Sequence, residues 1–210
     1  MIEGRERLAL GIVALVAVSA ACTVTRPSLE RHSFALSAER PGQQAPAGNP
    51  KPFPVTLKVG RISVEPPYGG TSFIYRTGDL RYEADPYNGF FASPSELLGR
   101  QIALSLGGSG LFAAVREPAS PLTGDYVLEG LLTELYADAR RAEKPEAVLS
   151  LQLHVRRASA GGGLVFERAY SQRVAMDDVS PEALVRGYGL ALGRLLEALE
   201  RDLAALKLGP

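Results

Sequence analysis

Few residues of this 210-residue chain combine the types and spacing that metal binding requires. The chain has two histidines, His32 and His154, and they lie far apart in the sequence. A metal site needs three or four His, Cys or carboxylate ligands that come together, and neither histidine has such a set beside it. We therefore expect no metal site, and we interpret His154 as a solvated residue on the polar face of a strand.

Ser109 and the adjacent Asp177 and Asp178 are the remaining candidates for catalysis. A nucleophile elbow has the pattern Gly-x-Ser-x-Gly between a strand and a helix, whereas Leu111 occupies the last glycine position here. The two aspartates precede a predicted helix, whose N-terminal dipole favours negative charge. The runs GGSG and GGG lack the Lys-Ser/Thr pair of a phosphate loop. The sequence thus predicts a protein that is not an enzyme and that needs no cofactor.

Cys22 is the only cysteine, so it cannot form a disulfide within the chain. Arg5 and Arg7 precede an apolar segment of 11 residues, Leu8–Val18, and small residues follow it. This order is typical of an export signal. Eleven residues extend about 17 Å as a helix, roughly half of a ~30 Å hydrocarbon core. An uncleaved membrane anchor is therefore the weaker alternative.

The residues Ser-Ala-Ala before Cys22 resemble the lipobox of bacterial lipoproteins, although Ser19 stands where leucine is usual. In a lipobox the cysteine is acylated and becomes the mature N-terminus. We interpret residues 1–21 as a signal peptide and Cys22 as a lipidation site with acyl chains such as palmitate. A plain secretory signal with an incidental cysteine is the alternative. Thr23, and not Asp, follows the cysteine, and in this respect the sequence resembles lipoproteins that are sorted to the outer membrane.

Composition limits the partners and divides the chain. Lys+Arg and Asp+Glu both number 23, and this zero net charge argues against nucleic-acid binding. Residues 22–54 read as a flexible tether, because Ala38–Pro54 holds five prolines and two glycines. Within it, the segment HSFALS favours a short edge strand. Residues 55–210 read as one folded domain.

The pattern of that domain predicts an α+β fold, with an antiparallel-rich sheet and two helices packed on one face. The clearest strand is Ala147–Val155, where Leu149, Leu151 and Leu153 alternate with polar residues. An extra residue at Gly60-Arg61 predicts a bulge in an earlier strand.

Two helices are marked by their starting residues. Ser93, Pro94 and Glu96 form the pattern of a capping box, and Ser180-Pro181 begins the second helix. Gly107-Gly108 is expected to end the first helix in a left-handed conformation.

The segment Tyr82–Phe91 contains charged residues and four large aromatics. One interpretation places its aromatics in the core. The other makes it a partner-binding surface, since loops on a rigid scaffold commonly carry binding residues. On that second interpretation Tyr87 and Phe90 flank an Asn88-Gly89 turn and bind the partner, while Phe91 packs inward.

Several stretches resemble the ABC-type transport auxiliary lipoproteins, the PqiC-like (YmbA-like) family. They are HSFALS, LKVGRISVEPPY, FIYRTGDLRYEADPYNGFFASPSELLGRQI, SGLFAAV and DYVLEGLLTELYAD. Family members often have Trp-x-x-Pro-Leu before the helix, where this chain has FFASPSELL and no Trp at all.

The resemblance implies a non-enzymatic lipoprotein on the periplasmic face of the outer membrane. It implies an auxiliary role in an ABC/MCE-type system that transports lipids or other hydrophobic molecules. The expected partners are the membrane, through the lipid anchor, and the MCE-type periplasmic protein that the lipoprotein docks; a homo-oligomer stays open. The alternatives are an assembly lipoprotein of another envelope machine and a lipid-anchored hydrolase.

Overall fold

The residues that the structure describes form an eight-stranded sheet and two α-helices. The structure, a computed structural model, describes residues 30–39, 53–159 and 161–209. Cys22, the predicted signal peptide (residues 1–21) and residues 40–52 lie outside the described residues. The elements are β1 (His32–Phe34), β2 (Phe53–Val64), β3 (Ser72–Arg76), β4 (Tyr82–Phe90), α1 (Pro94–Gly108), β5 (Phe112–Arg116), β6 (Tyr126–Asp138), β7 (Glu146–Arg157), β8 (Leu164–Ala175) and α2 (Pro181–Ala204).

The second half of the sheet is an antiparallel meander of three long strands. β7 pairs along its whole length with β6 on one side and β8 on the other. Leu149, Leu151 and Leu153 of β7 are fully buried, and neighbouring Ala147 faces Gly187 of α2. The predicted strand and the predicted burial of its leucines beneath a helix are therefore confirmed.

The rest of the sheet is mixed, so the prediction of an antiparallel-rich sheet is wrong. β2 runs parallel to both β5 and β6, β1 runs parallel to β4, and β3 runs parallel to the end of β6. β3 and β4 form an antiparallel hairpin. Between β2 and β5 the chain passes through α1, and a crossover of this kind returns a strand in the same direction. Alternation in the sequence identifies a strand but not the direction of its partner.

Both helices begin where the sequence predicts. The Ser93 hydroxyl accepts from the Glu96 N–H while the Glu96 side chain accepts from the Ser93 N–H, which completes the capping box. The Ser180 hydroxyl accepts from the Ala183 N–H at 3.2 Å. α1 continues through Gly108, and the left-handed residue is Gly110 with φ 72°. The predicted stop at Gly107-Gly108 is therefore confirmed, whereas the predicted left-handed conformation lies two residues later, at Gly110.

The two helices lie side by side on one face of the sheet. α1 packs on β2 and β5, and α2 packs on β7 and β8. A hydrogen bond of 2.5 Å from Ser105 of α1 to Glu200 of α2 joins them. The bulge predicted at Gly60-Arg61 is present, since Val59 pairs with Leu128 and Ile62 with Gly130.

Part of the sequence assigned to the tether packs on the domain. β1 pairs with β4 at an edge of the sheet, as the segment HSFALS suggested. Leu36 is 2 % exposed, and the Glu39 N–H donates to the Gly189 carbonyl at 2.9 Å. Residues 31–39 therefore belong to the folded unit.

A buried carboxylate links β6 to β8 on the face away from the helices. Asp138 at the end of β6 is 6 % exposed. It accepts from Arg140 at 2.8 and 2.9 Å and from Arg173 of β8 at 2.5 Å. Arg140 also reaches Asp79 in the β3–β4 turn at 3.3 Å. The hydrogen bonds from Arg140, and then those from Arg173, hold the pKa of Asp138 well below its ordinary value although burial opposes them.

The register of β7 predicts opposite effects for two neighbouring substitutions. Leu151→Asp places a carboxylate in the core and should destabilise the domain by several kcal/mol, on the order of 3 or more. Gln152→Asp lies on the exposed side of the same strand and should change the free energy of unfolding by less than about 0.5 kcal/mol. Thermal unfolding measures both; equal shifts would contradict the register.

The depressed pKa of Asp138 predicts an acid-dependent contribution to stability. This contribution is present above the unfolded pKa of about 3.9 and is lost as pH falls through the lower folded pKa. Asp138→Asn should cost about 2 kcal/mol at neutral pH, and its difference from the wild type should shrink below about pH 4. Asp79→Asn, with a side chain 91 % exposed, is the matched control. Denaturant unfolding across pH decides, and a pH-independent difference would refute the linkage.

Candidate partner-binding surface

Four residues bulge out of the β3–β4 hairpin, in the segment that the sequence singled out. Ile74 pairs with Ala84 and Ser72 with Gly89, so residues 85–88 of β4 oppose Phe73 alone. An Asn88-Gly89 turn was predicted here, and that prediction is wrong. Asn88 and Gly89 lie within β4 and pair with β1.

The Asp85 carboxylate closes this bulge. Its Oδ1 accepts from the N–H groups of Tyr87 and Asn88 at 2.8 and 3.0 Å, and its Oδ2 accepts from the Asn88 amide at 3.0 Å. Burial raises the pKa of Asp85, but these hydrogen bonds, with a smaller contribution from Arg31, outweigh it and hold the pKa below its ordinary value. The carboxylate therefore stays ionised at neutral pH, and the bulge keeps a defined shape.

Phe90 lies in the core, so its predicted role as an exposed partner residue is wrong. It is 4 % exposed, and its ring centroid lies 4.9 Å from Phe73 and 6.0 Å from Tyr188 of α2. The backbone here lies very close to its neighbour: the Phe90 N–H donates to the Thr71 carbonyl at 2.7 Å, and a Cβ at Gly89 would overlap that carbonyl. Gly89 is thus the residue that lets Phe90 enter the core.

Phe91 takes the exposed position instead, and its predicted inward packing is wrong. It is 60 % exposed, and its N–H donates to the Phe34 carbonyl of β1 at 3.1 Å. Successive side chains of an extended chain point to opposite sides, so a buried Phe90 turns Phe91 outward. Tyr87 is 46 % exposed, as its predicted position requires. Whether it binds a partner stays a prediction.

Tyr87 and Phe91 therefore form a candidate surface, which we call the β4 aromatic surface. At the Tyr87 end of this surface, the hydrogen bonds of Asp85 fix the backbone. At the Phe91 end, the Ser93 capping box begins α1 two residues later. Edge strand β1 pairs with Asn88, Gly89 and Phe90 between them. Exposed aromatics on such a fixed backbone lose little conformational freedom when they bind a protein.

Three of the other residues considered for chemistry, Ser109, Asp178 and His154, have structural partners. The Ser109 hydroxyl donates to the Leu106 carbonyl at 2.7 Å at the end of α1. The Asp178 carboxylate accepts from the Ser180 N–H at 2.8 Å at the start of α2. His154 lies 3.8 Å from the Glu129 carboxylate, which also accepts from Arg156 at 3.0 Å. Across the described ranges, no group of three or more His, Cys, Asp or Glu side chains is placed to hold a metal ion.

Sequence reasoning missed a second aromatic cluster, on the face opposite the helices. Tyr136 stacks on Tyr68 at 6.3 Å and meets Tyr82 edge-on at 5.5 Å, and Arg76 lies 5.5 Å from the Tyr82 ring. The pKa of Tyr68 is raised to about 12, mainly because the side chain is buried. The three tyrosines come from separate elements, so nothing in their spacing along the chain indicates that they meet.

Within the described ranges, neither helix carries an apolar stretch of the length that a membrane span needs. No protein-family model matches the sequence, and no curated protein matches it.

Solved structures do resemble the fold. Protein XCC0632 from Xanthomonas campestris, a DUF330 protein, superposes with a TM-score of 0.65 at 16 % identity, over 81 % of this chain and 92 % of its own. A crystal structure of an uncharacterized protein superposes with a TM-score of 0.61 at 15 % identity, over 81 % of this chain and 99 % of its own. At these identities the likeness shows that the chain shares their fold.

Proposed function

We propose that the protein is a non-enzymatic lipoprotein of the outer membrane that serves as an auxiliary component of an ABC/MCE-type transport system. In this proposal the acylated Cys22 holds the protein at the periplasmic face of the membrane. The folded domain docks the periplasmic MCE-type protein through the β4 aromatic surface. The cargo class is lipids or other hydrophobic molecules.

The observation that carries the docking role is the exposure of Phe91 and Tyr87 on a fixed backbone. A phenylalanine that is 60 % exposed leaves apolar area in water, and this area is recovered when a partner covers it. Aromatic anchors commonly contribute about 2 kcal/mol or more to a protein–protein interface. The transport system itself is proposed from the family resemblance, and the shared fold with the DUF330 protein is compatible with it.

The docking role predicts that the two exposed aromatics matter for binding and not for folding. Phe91→Ala and Tyr87→Ala should each weaken binding of the MCE-type partner by about tenfold or more. Each should leave the melting temperature nearly unchanged. Binding is measured with the purified full-length lipoprotein and the partner's periplasmic domain.

Two control variants separate binding from stability. Leu104→Ala removes a side chain that is 52 % exposed on α1, away from β4, and should leave binding unchanged. Phe90→Ala should cost about 3–5 kcal/mol of stability because it empties a core position. If Phe91→Ala binds the partner as tightly as Leu104→Ala does, the β4 aromatic surface is not the interface.

The anchoring role predicts that Cys22 is residue one of the mature protein and carries acyl chains. At about 0.8 kcal/mol per buried CH₂, several chains fix a protein to a bilayer for practical purposes. Mass spectrometry of the mature N-terminus tests this. An unmodified Cys22, or a mature chain that starts elsewhere, would rule out the anchor.

The variant Cys22→Ala extends the same test to location. It should leave the thermal unfolding of the domain unchanged, because Cys22 precedes the folded unit 31–209. It should also release the protein from the outer-membrane fraction. Co-purification of the wild-type lipoprotein identifies the partner: an MCE-type protein supports the proposal, whereas components of a secretion or lipopolysaccharide-export machine support the alternative.

A further inference from the structure

Strand β8 forms a long edge of the sheet. Among the described residues it pairs with β7 alone. The pairing is regular from Phe166 to Ala175, because the one register shift of this ladder lies beside Arg156. An edge of this length presents a row of backbone N–H and C=O groups that a further strand can pair with.

The backbone groups that face outward on β8 can be identified. The Met176 N–H donates to the Pro145 carbonyl at 2.9 Å, beside β7. Consecutive residues of an antiparallel ladder direct their N–H and C=O to alternate sides. The odd-numbered positions therefore direct these groups away from β7. They are Glu167, Ala169, Ser171 and Arg173.

We propose that this edge binds a second copy of the same chain, β8 against β8, antiparallel about a twofold axis that passes through Tyr170. In this register Glu167 lies opposite the second copy's Arg173, and symmetry repeats the pair. Ala169 lies opposite the second copy's Ser171. The outward N–H and C=O groups of these residues then pair with one another, and an interface of this kind is closed.

Charge complementarity selects this register over its neighbours. A residue whose backbone N–H and C=O point away from β7 must lie opposite a residue of the same kind in the second copy. The twofold axis must therefore pass through a residue of β8, and the neighbouring registers have their axis at Ala169 or at Ser171. An axis through Ala169 places Glu167 opposite Ser171, and an axis through Ser171 places it opposite Ala175; neither forms an ion pair. The axis through Tyr170 alone forms two ion pairs, and it opposes no like charges, since Arg168 then meets Gln172. Opposite charges that face each other across strands stabilise the pairing.

The side chains concerned are available on the surface. Glu167, Ala169 and Ser171 are exposed. The Arg173 side chain is 41 % exposed, and it already bonds Glu146 at 2.8 Å and Asp138. The face of β8 that lies under α2 is covered by that helix, and the Tyr170 hydroxyl donates to Asp202 of α2 at 2.7 Å. The second strand therefore joins the open edge without displacing α2.

Engineered disulfides test the register directly. In the proposed ladder, positions 168 and 172 of opposite copies face each other as a non-hydrogen-bonded pair, with Cα atoms about 4.5 Å apart, which a disulfide can bridge. The double variant Arg168→Cys/Gln172→Cys, expressed as the full-length lipoprotein in its membrane, should form a covalent dimer on mild oxidation. Non-reducing electrophoresis measures it, and the wild type reports any contribution from Cys22.

The single variants are the matched controls. Position 168 lies about 13 Å from its own symmetry mate, so Arg168→Cys alone should form no covalent dimer on electrophoresis, and neither should Gln172→Cys alone. Equal cross-linking of single and double variants would indicate random collision and overturn the proposal. Absence of a dimer in the double variant would overturn it as well.

A second measurement reads the interface without cysteines. Ala169→Pro removes one outward N–H in each copy and should raise the dissociation constant of the dimer by about tenfold or more. Ala169→Val keeps the N–H and should leave the constant within about threefold. Light scattering of the mature lipoprotein in detergent, corrected for the bound detergent, gives its mass as a multiple of the mass of one mature chain. A monomeric wild type would refute the interface but leave the proposed docking role untouched.

Discussion

Strand β6 is the element on which the arrangement of the whole sheet depends. One of its edges pairs with β7 throughout, whereas the other edge is divided between β2, over Tyr126–Leu132, and β3, at Ala137 and Asp138. A bulge between Leu132 and Glu134 accompanies the division. The sheet therefore branches: β2 and β5 lie under α1, while β3, β4 and β1 form a separate arm. That arm carries the β4 aromatic surface.

The arm has few ladder bonds to β6, so side chains hold much of it in place. Phe34, Phe73 and Phe90 pack in sequence, with centroids 5.4 and 4.9 Å apart, and Phe90 continues the contact to Tyr188 of α2. The Arg140–Asp79 ion pair ties the β3–β4 turn to the end of β6. Because these core contacts fix the position of β4, the β4 aromatic surface can bind a partner without rearrangement.

Short sequence patterns correctly predicted those features of the fold that depend on residues close together in the chain. The capping box at Ser93, the bulge at Gly60-Arg61 and the burial of Leu151 all follow from short-range pattern. The parallel pairing of β2 with β5 and β6 could not be predicted, because it depends on where a distant crossover returns the chain. Phe90 and Phe91 exchanged their expected positions for a related reason: the bulge at residues 85–88 resets the alternation of β4, and no count from Tyr82 reveals it. Tyr87, on the bulge itself, is exposed as expected.

The central claim is that the β4 aromatic surface meets a transport partner in the cell envelope, and site-specific photocross-linking tests it most directly. Benzoylphenylalanine is incorporated at position 91 of the native lipoprotein, and at position 104 as a control of similar exposure. The account predicts that position 91 cross-links an MCE-type periplasmic protein, identified by mass spectrometry, and that position 104 does not. A cross-link to that protein from position 104 and none from position 91, or cross-links from position 91 only to another envelope machine, would contradict it.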